Sequence, residues 1–116
     1  MKKKILIVED NELLQMMYSN PSYLGRDFEL LQAYTIKEGE ALFAKNSREI
    51  ELIVMDGSLP DGIGDELVRK IRNSGFLGPI ITSAGYPAYR DRMMELGCTH
   101  QSSKEGVPDL VKEILK

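Results

Sequence analysis

Polar and charged side chains follow several apolar runs of this sequence, just after each run ends. They comprise three carboxylates, two hydroxyls and one ammonium: Glu9, Asp10, Asp56, Thr82, Ser83 and Lys104. Clustered carboxylates repel one another unless a cation compensates, and Mg²⁺ binds well through one or two carboxylates together with phosphate and water. A carboxylate beside Mg²⁺ can act as a nucleophile toward a phosphoryl group, and a lysine supplies a point charge for phosphoryl oxygens.

The apolar runs before these residues predict the strands that position them. They cover residues 5–8, 28–31, 52–55 and 79–81, with a weaker and more polar stretch at 98–103. Continuous rather than alternating runs indicate strands covered on both faces, as in a parallel sheet. Between the runs, residues with helical spacing predict helices over 11–18, 36–44, 65–71, 89–96 and 108–115.

This β–α alternation predicts an α/β fold with a doubly wound parallel sheet. Right-handed crossovers place the helices on both faces of such a sheet. Open sheets of this kind bind ligands beyond the carboxyl ends of their strands. The strand-end side chains are therefore expected to converge on one small site.

Composition narrows the classes of function. The chain has 116 residues, 42% of them hydrophobic, which suits one packed domain. Its 15 basic and 18 acidic residues give a net charge of −3, so direct nucleic-acid binding is not expected. No apolar run approaches the roughly 20 residues of a membrane span, and Cys98 has no second cysteine to pair with. We expect a cytoplasmic protein without a membrane partner, as a monomer or weak homodimer.

Taken in order, the strand-end motifs resemble the receiver domain of the two-component response-regulator family. The resemblance is carried by Ile5-Leu6-Ile7-Val8-Glu9-Asp10-Asn11, by Leu52-Ile53-Val54-Met55-Asp56-Gly57-Ser58-Leu59-Pro60-Asp61-Gly62, by Pro79-Ile80-Ile81-Thr82-Ser83-Ala84, and by Leu96-Gly97 with Ser103-Lys104. It covers the whole chain, and the ordered combination of motifs makes it specific. It implies a stand-alone, chemotaxis-regulator-like domain over residues 1–116, with a flavodoxin-like five-stranded sheet of order 2-1-3-4-5 and five helices.

The resemblance implies a phosphoryl-accepting switch or relay protein rather than an enzyme. Asp56 resembles the phospho-acceptor, and Lys104 the lysine that pairs with the phosphoryl group. Ser83 resembles the switch hydroxyl, with Thr82 as its competitor. In the family, a sensor histidine kinase or a histidine phosphotransfer protein donates the phosphoryl group. The effector protein that would respond is not indicated by the sequence.

A magnesium site is implied at the same place. Asp10 and Asp56 resemble its direct carboxylate ligands, and Glu9 supports the ion through water. The backbone carbonyl of Ser58 resembles a further ligand.

Taken alone, Asp10 also fits a helix N-cap. Asp61, in Pro60-Asp61-Gly62, fits turn chemistry.

Two positions depart from the family pattern. Glu105 follows Lys104 where the family usually has a proline with a cis peptide bond. A cis bond before a non-proline residue costs about 2.5–4 kcal/mol, so a trans bond is predicted here. Gln101 stands three residues before the lysine, where the family usually carries an aromatic switch residue. The residues for phosphorylation are thus complete, while the readout face is altered.

Three other functions compete with the phosphorylated switch. An interaction module could keep the fold without using phosphorylation, which Gln101 and Glu105 favour. An aspartate-nucleophile phosphatase needs a second aspartate two residues from the first, but Val54 and Ser58 occupy those places. A flavodoxin-like flavin carrier needs a phosphate-binding first loop, which the acidic residues after the first strand would repel.

Overall fold

The structure, a computed structural model, describes residues 2–116. The strands in this part of the chain are β1 Lys3–Val8, β2 Phe28–Ala33, β3 Ile50–Met55, β4 Ser58–Leu59, β5 Gly62–Ile63, β6 Ile80–Thr82 and β7 His100–Gln101. The helices are α1 Glu12–Ser19, α2 Ile36–Asn46, α3 Gly64–Asn73, α4 Pro87–Leu96 and α5 Val107–Leu115. Over residues 2–116, no helix has the length and apolar character needed to cross a membrane.

Five of the strands form one parallel sheet in the order β2-β1-β3-β6-β7. Since β4 and β5 pair only with each other, the main-sheet order is 2-1-3-4-5 when its strands alone are counted. The predicted topology is therefore confirmed.

The sheet separates two apolar clusters, which explains why its central strands are apolar on both faces. Alternate residues of β1 belong to different clusters, because side chains of a strand point to opposite faces in turn. One cluster joins β1 to α2, α3 and α4 through Leu6, Val8, Phe43, Leu67, Ile71 and Met93. The other joins β1 to α1 and α5 through Ile5, Ile7, Tyr18, Val107 and Val111. Helices cover both faces, as predicted.

Most elements end within two residues of their predicted bounds, and two larger differences remain. The fifth main-sheet strand, predicted over 98–103, is confined to His100–Gln101. Its polar side chains give it little to bury, and it pairs only with β6 at the sheet edge. The second difference is the short antiparallel hairpin β4–β5 just after Asp56. Gly62, the first residue of β5 after the turn, has a φ of 150°, which residues with a side chain rarely adopt.

Candidate functional site

The carboxyl ends of β1 and β3 bring the three predicted carboxylates together. Val8 and Met55 are paired in register, so the residues after them, Glu9 and Asp56, lie side by side. One oxygen from each of Glu9, Asp10 and Asp56 lies within 4.8 Å of the others. Glu9 and Asp56 are only 1% and 6% exposed, whereas Asp10 is exposed. This edge of the sheet therefore concentrates three carboxylates, two of them shielded from water.

Lys104 reaches the same cluster from the loop between β7 and α5. Its ammonium Nζ lies 2.5 Å from Oε1 of Glu9 and 3.1 Å from Oδ1 of Asp56. The side chains of all three residues are at most one quarter exposed. The structure thus brings Lys104 to the predicted place, where it bridges two of the three carboxylates.

Burial and mutual charge shift the protonation of Glu9 and Lys104. Burial raises the pKa of Glu9, and the nearby charge of Asp56 adds to this, so the pKa is about 7 despite the hydrogen bond from Lys104. Burial alone would lower the pKa of Lys104, but its hydrogen bond to Glu9 and the charge of Asp56 outweigh this and raise it. The lysine is therefore charged at neutral pH, while Glu9 holds a proton far more readily than an ordinary glutamate.

Backbone groups fix the orientation of the buried carboxylates. The N–H of Gly57 donates to Oδ1 of Asp56 over 2.7 Å, and the N–H of Asn11 donates to Oε2 of Glu9 over 3.1 Å. The start of α3 packs directly against the backbone that follows β3, because a Cβ at Gly64 would lie 2.0 Å from the carbonyl oxygen of Asp56. A residue with any side chain at Gly64 would displace this loop.

The N-cap interpretation of Asp10 is wrong. The N-cap of α1 is Asn11, whose Oδ1 accepts the N–H of Leu14 over 3.0 Å. Asp10 comes one residue earlier and its exposed carboxylate joins the acidic cluster instead. Asparagine and aspartate are both good N-caps, so the sequence could not distinguish the two positions.

The two candidate hydroxyls differ in their partners. The hydroxyl of Thr82 donates to Sδ of Met93 over 3.1 Å and accepts the N–H of Ala84. It therefore belongs to the packing between β6 and α4. Ser83 follows the end of β6, is 1% exposed, and donates its N–H to the carbonyl of Met55, one residue before Asp56. This placement favours Ser83 over Thr82 as the hydroxyl beside Asp56.

Three further sequence predictions concern the loops of the site. Ser58 lies exposed in β4, two residues after Asp56, and the role of its carbonyl stays a prediction. Residues 2–116 contain no cis peptide bond, so the trans Lys104–Glu105 bond is confirmed.

Gln101 is exposed, and its Oε1 lies 3.4 Å from Nε of Arg90. Arg90 also donates to the carbonyl of Ala84 over 2.9 Å, so it links the Gln101 position to the loop after Ser83.

Gln15 organises the site without having been singled out in the sequence. Its fully buried amide nitrogen lies within 3.0–3.2 Å of three carbonyl oxygens, those of Ile7, Glu9 and Ala33. Its own oxygen accepts from the amide of Gln32 over 2.8 Å. Gln15 therefore ties the carboxyl ends of β1 and β2 together beside Glu9. The available signal was a polar residue on the otherwise apolar face of α1.

Replacing Gln15 by methionine is expected to destabilise the protein by about 2 kcal/mol. Methionine fills a similar volume, but it leaves buried carbonyl oxygens without their donor. Urea unfolding measures the loss. Gln101→Met is the matched control, since Gln101 is exposed, and it should change stability by less than about 0.5 kcal/mol. Equal effects of the two substitutions would contradict the role given to Gln15.

Comparisons with known proteins agree with this architecture, although no family model matches the chain. Over 80 residues, 69% of its length, the chain is 31% identical to the KDP operon transcriptional regulatory protein KdpE of Escherichia coli K12. The chain spans about a third, 34%, of the length of that relative.

Two solved structures show the same fold over nearly the whole chain. A CheY-like response regulator receiver domain protein from Methanospirillum hungatei has a TM-score of 0.81 and 23% identity, covering 97% of this chain and 93% of that one. A response regulator from Burkholderia pseudomallei, with a phosphorylated aspartic acid, calcium ion and citrate, has a TM-score of 0.79 and 20% identity, covering 99% and 67%. The fold of this chain is that of the receiver domain of two-component response regulators.

Proposed function

We propose that residues 1–116 form a receiver domain that accepts a phosphoryl group on Asp56 and serves as a switch or relay in two-component signalling. The observation that carries this proposal is the convergence of three carboxylates and Lys104 at one strand edge. The Burkholderia relative of the same fold carries a phosphorylated aspartic acid, which supports the same chemistry here. The domain would act in the cytoplasm as a phosphorylated switch, not as an enzyme, and pass its state to an effector protein.

The proposed reaction is a transfer from phosphohistidine to the carboxylate of Asp56. An Asp56 oxygen attacks phosphorus, the new O–P bond forms, the P–N bond breaks, and the imidazole leaves with its electron pair and takes up a proton. The Lys104 ammonium, already 3.1 Å from Oδ1 of Asp56, is placed to pair with a phosphoryl oxygen. Ser83 is the proposed hydroxyl donor to a second oxygen, so the phosphoryl group would favour one position of its loop. The donor would be a sensor histidine kinase or a histidine phosphotransfer protein.

The donor set fits a magnesium ion. Three carboxylates converge within 4.8 Å, and oxygen ligands of this kind suit Mg²⁺. Asp10 and Asp56 would hold the ion directly, with the carbonyl of Ser58, and Glu9 would act through water. When bound, the ion supplies positive charge that neutralises the carboxylates and the phosphoryl oxygens. Glu9 and Asp56 share one ammonium, so Lys104 balances only half of their combined charge when both carboxylates are ionised.

Intact-mass measurement tests the proposed function. The protein is incubated with a small phosphodonor, such as acetyl phosphate, and Mg²⁺. One added phosphoryl group is the expected result, and a chelator in excess over Mg²⁺ should prevent it. Absence of any mass change, with a donor shown to be active on a known receiver domain, would refute the phosphorylation proposal.

An unchanged mass would favour the receiver-fold interaction module. One observation in the structure supports this alternative. Gln101 is exposed and contacts Arg90, so the edge of β7 presents a polar pair instead of an aromatic ring. An effector could contact that pair whether or not Asp56 is phosphorylated.

A further inference from the structure

The loop that carries Lys104 has little support from the sheet. β7 ends at Gln101, and the N–H of Ser102 makes the last sheet contact, to the carbonyl of Thr82 over 3.0 Å. After it, Gly106 donates its N–H back to the carbonyl of Ser103 over 3.2 Å, which only closes the turn on itself. The main chain of Lys104 therefore lies beyond the sheet, although its ammonium must meet two buried carboxylates.

Tyr18, on the neighbouring helix α1, supplies the missing support. Its hydroxyl donates to the carbonyl oxygen of Lys104 over 2.9 Å. The residue is 1% exposed, and its ring lies in the same apolar cluster as Val107 and Val111 of α5. Packing fixes the ring, and the ring fixes the position of the hydroxyl.

We propose that Tyr18 is a positioning residue for Lys104, which holds the lysine's main chain so that its ammonium can serve the phosphoryl group on Asp56. The inference rests on the proposed function and adds a residue to it. Lys104 is held at two ends: Tyr18 holds its carbonyl, while Glu9 and Asp56 hold its Nζ. With the carbonyl released, loop 102–106 can rotate and carry the ammonium away from the reacting oxygen.

The hydroxyl is suited to a fixed donor role. Burial raises the pKa of Tyr18, and the negative charges of Glu9, Glu105 and Asp56 raise it further. The group therefore stays protonated at neutral pH. Tyr18→Phe removes only this donor and leaves the packed ring in place.

A double-mutant cycle separates positioning from a general effect on folding. The four proteins are wild type, Tyr18→Phe, Lys104→Met and the double variant, each phosphorylated by acetyl phosphate with Mg²⁺ and followed by intact mass. Lys104→Met should slow the reaction about 100-fold, the usual effect of losing one charge-stabilising donor. Tyr18→Phe should slow it about tenfold, because a small misplacement of a reacting group is costly. In the Lys104→Met background, Tyr18→Phe should cause no further loss.

Amide hydrogen exchange provides a readout that needs no phosphorylation. The Gly106 amide, which closes the Lys104 loop, should exchange at least about fivefold faster in Tyr18→Phe after correction for global stability. Tyr23→Phe is the matched control, since Tyr23 lies 41% exposed in the α1–β2 connection, and it should leave both rate and exchange unchanged.

The outcomes distinguish this inference from the proposed function. The positioning role is overturned if Tyr18→Phe slows the reaction equally in the wild-type and Lys104→Met proteins, or if it slows neither. If wild type accepts no phosphoryl group, the proposed function fails, and unchanged exchange at Gly106 would then show that Tyr18 does not hold the loop either. Faster exchange of the Gly106 amide in Tyr18→Phe without a slower reaction would also overturn the positioning role. Tyr18 would then hold the loop for stability alone.

Discussion

Asp56→Asn is expected to abolish phosphoryl uptake while leaving the fold intact. An amide lacks the anionic oxygen that attacks phosphorus, so no O–P bond forms at this position. The substitution keeps the size of the side chain, and the remaining amide oxygen can still accept from Gly57 and Lys104, as Oδ1 of Asp56 does. The measurement is intact mass after incubation with acetyl phosphate and Mg²⁺, with unfolding curves to show that the variant is folded.

Asp61→Asn is the matched control for this prediction. Asp61 lies five residues further along, in the hairpin turn, and its exposed carboxylate accepts the N–H groups of Ile36 and Lys37 at the start of α2. Asparagine can keep one of these bonds, so phosphoryl uptake should continue. Uptake by Asp56→Asn would show that another group is the acceptor, and peptide mapping would then identify it, with Asp10 as the first candidate.

The sheet could be predicted from the sequence because central parallel strands are apolar on both faces. Residues 5–8 and 52–55 are continuously apolar, and each strand packs on both of its faces in the structure. Parallel strands bring their carboxyl ends to one edge, so Glu9 and Asp56 could be placed together without knowing any contact. The bounds of the edge strand β7 could not be predicted with the same accuracy, because its polar side chains form no apolar pattern.

Contacts between distant parts of the chain account for what the sequence did not show. The sequence indicates a turn role for Asp61, but its carboxylate also accepts the N–H groups of Ile36 and Lys37 at the start of α2, 25 and 24 residues earlier in the chain. Tyr18 and Lys104 are 86 residues apart, and Tyr18 looked like one more apolar residue of a helix face. Such pairs depend on how helices and loops from distant parts of the chain pack together, which local patterns do not encode. The fold could be predicted from local patterns, whereas the residues that orient the site could not.

The free energy of unfolding of the metal-free protein is expected to fall as pH rises from about 5 to 8. Burial raises the pKa of Glu9 from 4.5 to about 7, so between these values the folded protein binds a proton that the unfolded chain releases. The stabilisation from that proton is complete below the unfolded pKa and is lost as pH rises through the folded pKa. A shift of this size corresponds to at most about 3 kcal/mol.

Denaturant unfolding at a series of pH values, with a chelator present, measures this dependence. Glu9→Gln should remove the fall, because glutamine does not titrate. His100→Gln replaces the one histidine of the chain; it is the control and should leave the fall in place.

Asp56→Asn tests whether the charge of Asp56 contributes to the raised pKa of Glu9, and therefore to the fall in stability. The charge of Asp56 is one cause of the raised pKa of Glu9, so its removal should shift the fall toward lower pH without abolishing it, since burial remains the larger cause. A wild-type stability that is flat or rises between pH 5 and 8 would contradict this account. It would mean that the ion pair with Lys104, 2.5 Å from Glu9, outweighs the desolvation of the carboxylate.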